Sequence, residues 1–290
     1  MRRAIALVSL LAAGTAAAQE SPLAPSPTNL IYARSMGMGA YRGVAGSNDA
    51  IFYNPAALAA NKAFTVELGG LMYRVGADTD ATMFGGTVVD SVSSPVTGGF
   101  AYNYTSTLGY RGNGFWGGMT NVALAFPLGS SLFVGTTFTY LNLKNDYGVV
   151  SCITMNAALF MKLGKFFSLG GTGYNLINTH HPELLPIGLG VGAAAGPDNV
   201  FHIVGDWYRE WAGDGRYRDV WSAGAEFFLF DVAAVRGGWI YDAGRNIQWW
   251  SIGAGFAYEG IGADFAYRQG FGGGTYRMLG ASLRFNVPGM

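Results

Sequence analysis

Hydrophobic and polar positions alternate along most of this chain, in segments of about ten residues that are joined by glycine-rich turns. In the last segment, the odd-numbered positions of 279–287 are apolar, whereas Ser282 and Arg284 fall on the opposite face. Alternation with a period of two is typical of a β-strand with one apolar face. Beyond the N-terminus, no run of residues is continuously apolar over the length of a membrane-spanning helix.

The alternation predicts about 14 strands, an even count of the kind that single-chain membrane barrels usually have. Short and long connections then alternate between the two ends of the strands, as expected for periplasmic turns and extracellular loops. The predicted strands are 62–74, 79–90, 96–106, 117–126, 131–143, 150–162, 166–177, 186–195, 199–208, 220–229, 232–242, 248–258, 262–270 and 275–287.

The same alternation could belong to a soluble sandwich, so the tryptophans provide an independent test. In the predicted topology every tryptophan lies at or near the extracellular end of its strand, and tryptophan prefers the membrane interface. Lipid allows only helices or closed barrels to satisfy backbone hydrogen bonds. We therefore predict an all-β fold, a transmembrane antiparallel β-barrel in the bacterial outer membrane. The tryptophans are Trp116, Trp207, Trp211, Trp221, Trp239, Trp249 and Trp250.

The N-terminal region divides into two parts before the barrel, which is predicted to span 62–290. Residues 1–18 have the basic start, apolar core and small-residue cleavage site of a secretory signal peptide. Residues 19–61 are not needed for the wall, and a barrel of this width is too wide for its own side chains to fill. We predict that they fold inward as a plug, although 19–30 alone could be a disordered tail.

Three residues of the predicted plug are assigned positions against the lumen. Pro55 suits the first position of a short helix over 55–60, with Asn54 as its capping residue. Arg34 and the turn at Asn54 and Pro55 are expected to fix the plug to the inner wall and to act as the plug or gate site.

Polar side chains that face the lumen follow from the alternation. Glu226 and Arg236 lie nearly opposite each other on one predicted hairpin, so an ion pair is expected there. These residues either brace and hydrate the interior or form a polar track for solute. The predicted lumen-facing residues are His202, Asp206, Glu226, Arg236, Asp264, Arg268 and Arg284.

Composition narrows the chemistry further. Charged residues are only 12% of the chain, and acidic and basic side chains are equal in number. The sequence has no basic stripe, so we do not expect nucleic-acid binding. Cys152 is the single cysteine, which excludes an intrachain disulfide. His180 and His181 match no standard zinc spacing and are interpreted as a solvated loop. We predict no metal, no cofactor, no catalytic residue and no enzyme activity.

Several stretches carry a family likeness. The sequence Arg-Ser-Met-Gly-Met-Gly-Ala at 34–40, followed by Asn-Asp-Ala at 48–50 and Asn-Pro-Ala at 54–56, resembles the N-terminal signature of the FadL-type outer-membrane proteins. The later pattern, including Gly-Tyr-Asn-Leu at 173–176 and Val-Arg-Gly-Gly-Trp at 235–239, resembles the PorV/PorQ branch of that superfamily more closely.

The end of the chain is similar to the C-terminal signal that the barrel-assembly machinery reads. Gly280, Leu283 and Phe285 match that signal, whereas Met278 stands where a polar residue is usual and five residues follow Phe285. The barrel-assembly machinery and outer-membrane lipid are therefore expected partners.

The resemblance implies a fourteen-stranded barrel with an N-terminal plug and leaves two functions open. The first is passive transport of small, hydrophobic solutes, with the plug gating entry. The alternative is a PorV/PorQ-like adaptor or scaffold that serves a secretion or envelope complex and docks a secreted or periplasmic protein. The chain lacks the long extracellular loops of fatty-acid transporters, which argues against a high-affinity fatty-acid site.

Overall fold

The computed structural model describes residues 32–75, 79–107, 114–182, 184–197, 200–211, 217–230, 232–271 and 276–288. The predicted signal peptide and residues 19–31 of the predicted plug lie outside these ranges. No helix among the described residues is long and apolar enough to cross a membrane.

The strands form one closed antiparallel barrel in which each strand pairs with its neighbours in sequence and β1 pairs with β14. This confirms the predicted fold class and the count of 14 strands. The strands are β1 Ala63–Val75, β2 Thr79–Asp90, β3 Thr97–Thr107, β4 Trp116–Pro127, β5 Leu132–Asn145, β6 Gly148–Leu163, β7 Phe167–Tyr174, β8 Ile187–Ala195, β9 Phe201–Trp211, β10 Tyr217–Leu229, β11 Ala233–Asp242, β12 Ile247–Tyr258, β13 Ile261–Phe271 and β14 Tyr276–Pro288.

Side chains along each strand alternate between the lumen and the outside. On β9, His202 and Val204 are buried while Ile203 between them is 57% exposed. On β14, Ser282 is buried while Leu283 is exposed. The outer surface is therefore apolar along the strands, which is the arrangement that lipid requires of a barrel wall.

The seventh strand is shorter than predicted. The alternation predicts a strand to residue 177, but β7 ends at Tyr174 because Asn175 adopts a left-handed backbone conformation with φ 53°. The Asn175 side-chain amide then donates to the carbonyl of Pro186 at 2.8 Å and closes the connection to β8. As a result, β6 pairs with β7 only along Ala157–Leu163.

The two ends of the barrel differ in their aromatic residues. We call the end where β1 begins and β14 finishes the terminal end, and the opposite one the far end. The tryptophans lie toward the far end, as predicted, but Trp249 does not face outward. Its ring lies inside the barrel, 6.2 Å from Tyr73 and 5.4 Å from Tyr276 between ring centroids.

Residues 32–61 lie inside the barrel, and we call them the inner segment. They contain helix α1 (Ala33–Met38), helix α2 (Ala50–Tyr53) and a 3₁₀ helix (Pro55–Ala60). Only the last of these is predicted from the sequence, through the Asn54–Pro55 pair. Pro55 does occupy the first position of the 3₁₀ helix, but Asn54 does not cap it through its side chain. The Asn54 amide instead donates to the carbonyls of Arg42 and Leu159, because both lie within reach at 2.9 and 3.3 Å.

Candidate functional site: the lumen and its inner segment

One carboxylate on the wall holds the start of the inner segment. Glu226 on β10 is completely buried and accepts two hydrogen bonds from the Arg34 guanidinium, at 3.0 and 2.8 Å. Arg236 on β11 donates to the same carboxylate at 2.6 Å, and the His202 Nδ1 lies 3.1 Å from it. A bidentate arginine–carboxylate pair is both strong and geometrically specific. Glu226 therefore joins α1 to three neighbouring strands, β9, β10 and β11.

The ion pairs continue along the terminal half of the wall. Arg236 also donates to Asp264 on β13 at 2.6 Å, and Arg284 on β14 lies 3.8 Å from the other Asp264 oxygen. Asp264 is buried, so its charge depends on these partners. Negative and positive side chains thus alternate from β10 to β14 beneath α1.

A second wall carboxylate holds the chain after α1. Asp206 on β9 accepts the backbone N–H groups of Tyr41 and Arg42 at 2.8 and 3.0 Å, and the Arg42 guanidinium at 3.4 Å. The Arg42 Nε donates to the Tyr174 hydroxyl at 2.7 Å, and its guanidinium lies 5.0 Å from the centre of the Tyr208 ring. Burial raises the pKa of Tyr41 to about 12, so this phenol stays neutral at physiological pH.

The backbone of the inner segment rests directly on wall glycines. A side chain at Gly238 on β11 would place its Cβ 2.6 Å from the carbonyl carbon of Met38, and one at Gly224 on β10 would overlap the Met38 carbonyl oxygen. On the facing surface, a Cβ at Gly43 would lie 2.6 Å from the carbonyl carbon of Ala193. Only glycine leaves room for such a close approach of two backbones.

The later part of the inner segment packs through small apolar groups. Helix α2 and the 3₁₀ helix lie against β3 to β6. A Cβ at Gly135 on β5 would come within 2.5 Å of the Ala56 nitrogen, and Ile51 lies against Gly99 on β3. The Thr137 hydroxyl donates to the Ile51 carbonyl at 2.8 Å. The buried alanines of this contact are Ala56, Ala57, Ala101, Ala123 and Ala125.

Asp49 is a buried carboxyl between the two parts of the inner segment. It accepts the backbone N–H of Tyr32 at 3.2 Å and hydrogen bonds from the Ser47 and Tyr53 hydroxyls. Burial raises the pKa of Asp49, and the hydrogen bonds only partly oppose that rise. Its charged form is therefore disfavoured in the folded protein.

The far half of the lumen has an apolar side. Inward-facing positions of large barrels are usually polar, yet the lumen face of β1 to β6 and β14 carries buried apolar side chains here. Leu184 and Leu185 from the connection between β7 and β8 pack against the same cluster. We call this surface the apolar lining; its wall residues are Leu71, Met83, Met119, Leu141, Leu143, Cys152 and Met278.

The opposite side of the far half is polar. Arg218 on β10 donates to Glu210 at 2.6 Å and to Asp242 at 2.9 Å. The Tyr208 hydroxyl donates to Glu210 at 3.0 Å. The far half is therefore two-sided, with ion pairs on β9 to β11 and the apolar lining across the barrel from them.

The residues singled out from the sequence fall into three places. Arg34, Asn54 and Pro55 lie in the inner segment, and the seven predicted polar residues lie on the lumen face of the wall. Among these, Arg268 donates to the Met36 carbonyl at 3.0 Å. Gly280 faces the inner segment, whereas Leu283 and Phe285 face outward, and their assembly role remains a prediction.

Other residues of the site were not singled out from the sequence. Arg42 belongs to the predicted plug, but no motif distinguishes it from the other polar residues there, and Asp49 lies in the Asn-Asp-Ala stretch at 48–50, which carries the family likeness without indicating a contact. Tyr174 and Glu67 are buried wall residues that alternation alone would have placed on the lumen face. Among the described residues, no group of three or more His, Cys, Asp or Glu side chains could hold a metal ion.

No protein-family model matches the chain, and no curated protein matches it. Solved structures do resemble it. A "CymD monoaromatic hydrocarbon channel" is 14% identical over 90% of this chain and 98% of its own, with a TM-score of 0.70. The Ralstonia pickettii toluene transporter TbuX is 14% identical over 90% of this chain and 100% of its own, with a TM-score of 0.69.

A Pseudomonas aeruginosa FadL homologue is also similar, at 11% identity over 89% of this chain and 98% of its own, with a TM-score of 0.67. At these identities the likeness establishes the fold, a closed barrel of the outer-membrane kind. These structures are hydrocarbon channels, transporters and a FadL homologue, and they give no support to a link with the PorV/PorQ branch.

Proposed function

We propose that this protein is an outer-membrane channel for the passive transport of small hydrophobic solutes, and that the inner segment is its plug. The observation that carries the proposal is the apolar lining. Leu141 and Leu143 are buried on the lumen face within an apolar cluster, so a solute that enters this half of the lumen meets apolar side chains. Apolar surface turned toward a lumen favours a solute that is itself apolar, because both lose contact with water.

The position of the inner segment supports a gating role. It crosses the lumen between the apolar lining and the terminal end, so a solute that reaches the lining must pass it to leave the barrel. The contacts at Glu226 and Asp206 hold one part of it to the wall. We propose that the terminal end faces the periplasm and that the far end, with its tryptophans, faces outside.

The likeness to hydrocarbon channels supports the same solute class. The similar structures include a monoaromatic hydrocarbon channel and a toluene transporter. Small aromatic hydrocarbons are therefore the first solutes to test for this chain.

The test is initial uptake of labelled toluene by cells that carry the full-length barrel in their outer membrane. We expect uptake above that of cells without the barrel, and a several-fold loss when Leu141→Gln and Met119→Gln make the lining polar. Leu159→Gln, an outward substitution on β6, is the matched control and should leave uptake unchanged. Uptake that does not depend on the barrel, or that the lining variant leaves intact, would overturn the proposal.

A second measurement tests the plug. Conductance of the purified barrel in planar bilayers should be low for the unaltered chain and should increase when Arg34→Met removes the bidentate contact with Glu226. Arg209→Met, which removes an ion pair at the far end without touching the inner segment, is the control. Equal conductance of all three proteins would contradict a gating role.

A further inference from the structure

Two asparagine amides on the lumen face lie at the edge of the apolar lining. Asn103 on β3 and Asn121 on β4 are both buried. The register sets Asn103 opposite Met119, which is two positions from Asn121, so the two asparagines are diagonal neighbours. Such neighbours on paired strands are about 7 Å apart, close enough for one small group to lie between their side chains.

The two amides stand between the apolar lining and the inner segment. Met119, on the far side of Asn121, belongs to the apolar lining. Ala101 and Ala123, which follow toward the terminal end, lie in the contact with the inner segment. A solute that moves from the apolar lining toward the inner segment therefore meets these amides first.

Each amide already uses its oxygen. The Asn103 oxygen accepts a hydrogen bond from the Tyr32 hydroxyl at 3.4 Å and lies toward β2, because a Cβ at Gly85 would overlap it. The Asn121 oxygen accepts from the Thr139 hydroxyl on β5 at 2.7 Å. The nitrogens are on the other side of each amide and therefore face each other across β3 and β4.

The two nitrogens lack acceptors. Within the described part of the chain, neither Asn103 Nδ2 nor Asn121 Nδ2 has a hydrogen-bond partner. A buried N–H group without an acceptor has given up its hydrogen bonds with water and gained none in return. Two such groups that face each other favour an acceptor atom between them.

One flexible side chain lies beside both amides. Met119 is directly opposite Asn103 and next to Asn121 on the same face of β4. Methionine is unbranched and adapts its shape to its surroundings, so it can move aside for a bound group. A solute in contact with the apolar lining reaches the amides by displacing this side chain.

The donors select the chemistry of the acceptor. A carbonyl oxygen has two lone pairs, one for each amide, and it carries no hydrogen that needs an acceptor of its own. A carboxylate would bring a full charge into apolar surroundings with only two neutral donors to stabilise it, which is costly. A neutral carbonyl group on an apolar body therefore matches both the amides and the lining.

We infer that Asn103 and Asn121 bind the carbonyl oxygen of a small aromatic solute, so that the channel favours aromatic ketones and aldehydes over hydrocarbons of the same size. The oxygen accepts one hydrogen bond from each amide, and the ring lies against the apolar lining. This inference rests on the proposed function, because the solute must enter the lumen.

The test compares acetophenone with ethylbenzene, which has a methylene in place of the carbonyl group. Each is added at increasing concentration to cells that carry the full-length barrel, and the concentration that halves uptake of labelled toluene is measured. The double variant Asn103→Leu and Asn121→Leu should raise that concentration about tenfold for acetophenone, because two hydrogen bonds to the solute are lost. It should change less than about twofold for ethylbenzene.

The matched control is Asn142→Leu, the same substitution between the inward positions of β5, where the side chain faces outward. It should leave inhibition by both compounds unchanged. Heat-modifiable migration on gels checks that each variant is folded. If the double variant does not fold, each single variant should still raise the acetophenone concentration about threefold. Unchanged inhibition by acetophenone in a folded variant would overturn the site.

An infrared measurement tests the site without transport. The carbonyl band of ¹³C-labelled acetophenone should gain a component at lower frequency when the purified full-length barrel is added to detergent, because donated hydrogen bonds weaken the C=O bond. The double variant should lack that component. No shifted component, or one that the folded double variant retains, would overturn the site. A shifted component without barrel-dependent toluene uptake would support the site and contradict the proposed function.

Discussion

The two halves of the inner segment meet the same wall by different means. Residues 33–43, which we call the clamped half, are held by Glu226 and Asp206 and rest their backbone on wall glycines. Residues 50–60, the packed half, lie against β3 to β6 mainly through alanines and the side chain of Ile51. One half is fixed by directional bonds, and the other by apolar contact.

The difference suggests that one half of the inner segment fixes its position while the other half can shift. Ion pairs and backbone contacts specify a single position, because each bond depends on exact geometry. Contacts between small apolar groups are non-directional and depend mostly on the area removed from water. We therefore expect the clamped half to set where the inner segment sits, and the packed half to tolerate small displacements.

The largest expected effect is loss of the clamp. Glu226→Gln would leave Arg34 and Arg236 buried without their shared anion, which typically costs about 3–5 kcal/mol. Trypsin should then cut after Arg34 and Arg42 in the folded barrel, as read by mass spectrometry. Glu210→Gln removes a carboxylate from the far-end ion pairs instead and should not expose those two sites. Equal protection of both variants would mean that Glu226 does not hold the clamped half.

The next effect is expected in the packed half. Ile51 is completely buried, and Ile51→Ala should cost about 2–5 kcal/mol through lost apolar contact and the cavity left behind. Chymotrypsin should then reach Phe52 and Tyr53, while Arg34 stays protected from trypsin. Ile153→Ala, the same substitution at a position that is 60% exposed on the outer wall, is the control. Simultaneous release of both halves would show that they do not differ as described.

A smaller effect is expected from one added methyl group. Gly224→Ala places a Cβ against the Met38 carbonyl and should cost about 1–3 kcal/mol through overpacking. Gly205→Ala on β9 is the matched control, because the nearest atom to its new Cβ is 3.9 Å away. Thermal unfolding of both variants measures the difference, and equal midpoints would argue against close backbone packing at Gly224.

The smallest effect concerns pH. Because burial raises the pKa of Asp49, its contribution to stability is full below about pH 4, the unfolded-state value, and is lost as pH rises through the folded-state value. Asp49→Asn removes this dependence, so the variant should gain stability relative to the unaltered chain between pH 4 and pH 8. Asp146→Asn, which removes a carboxylate from an exposed turn, is the matched control. A constant difference across that range would contradict the assignment.

Much of the barrel follows from local pattern. Alternation along 279–287 gives both the strand and its outward face, since a strand's side chains must alternate and lipid accepts only apolar ones. The early end of β7 is not predicted by the alternation. The residues up to Tyr174 alternate in the same way whether the strand continues or, as here, stops at an Asn175 with a left-handed backbone. Residue type also does not predict that the Trp249 ring faces inward, because an aromatic ring suits both a membrane interface and an apolar interior.

The sequence by itself determines fourteen strands, their apolar outward faces and the polar residues that face inward, because each depends on residues close together in the chain. Only the tertiary structure decides which of those residues meet. Arg34 and Glu226 are 192 positions apart, and the partner of a charged side chain is set by where the barrel closes. The need for glycine at 224 and 238 is likewise set by tertiary structure, because the Met38 carbonyl that lies against them belongs to a distant part of the chain.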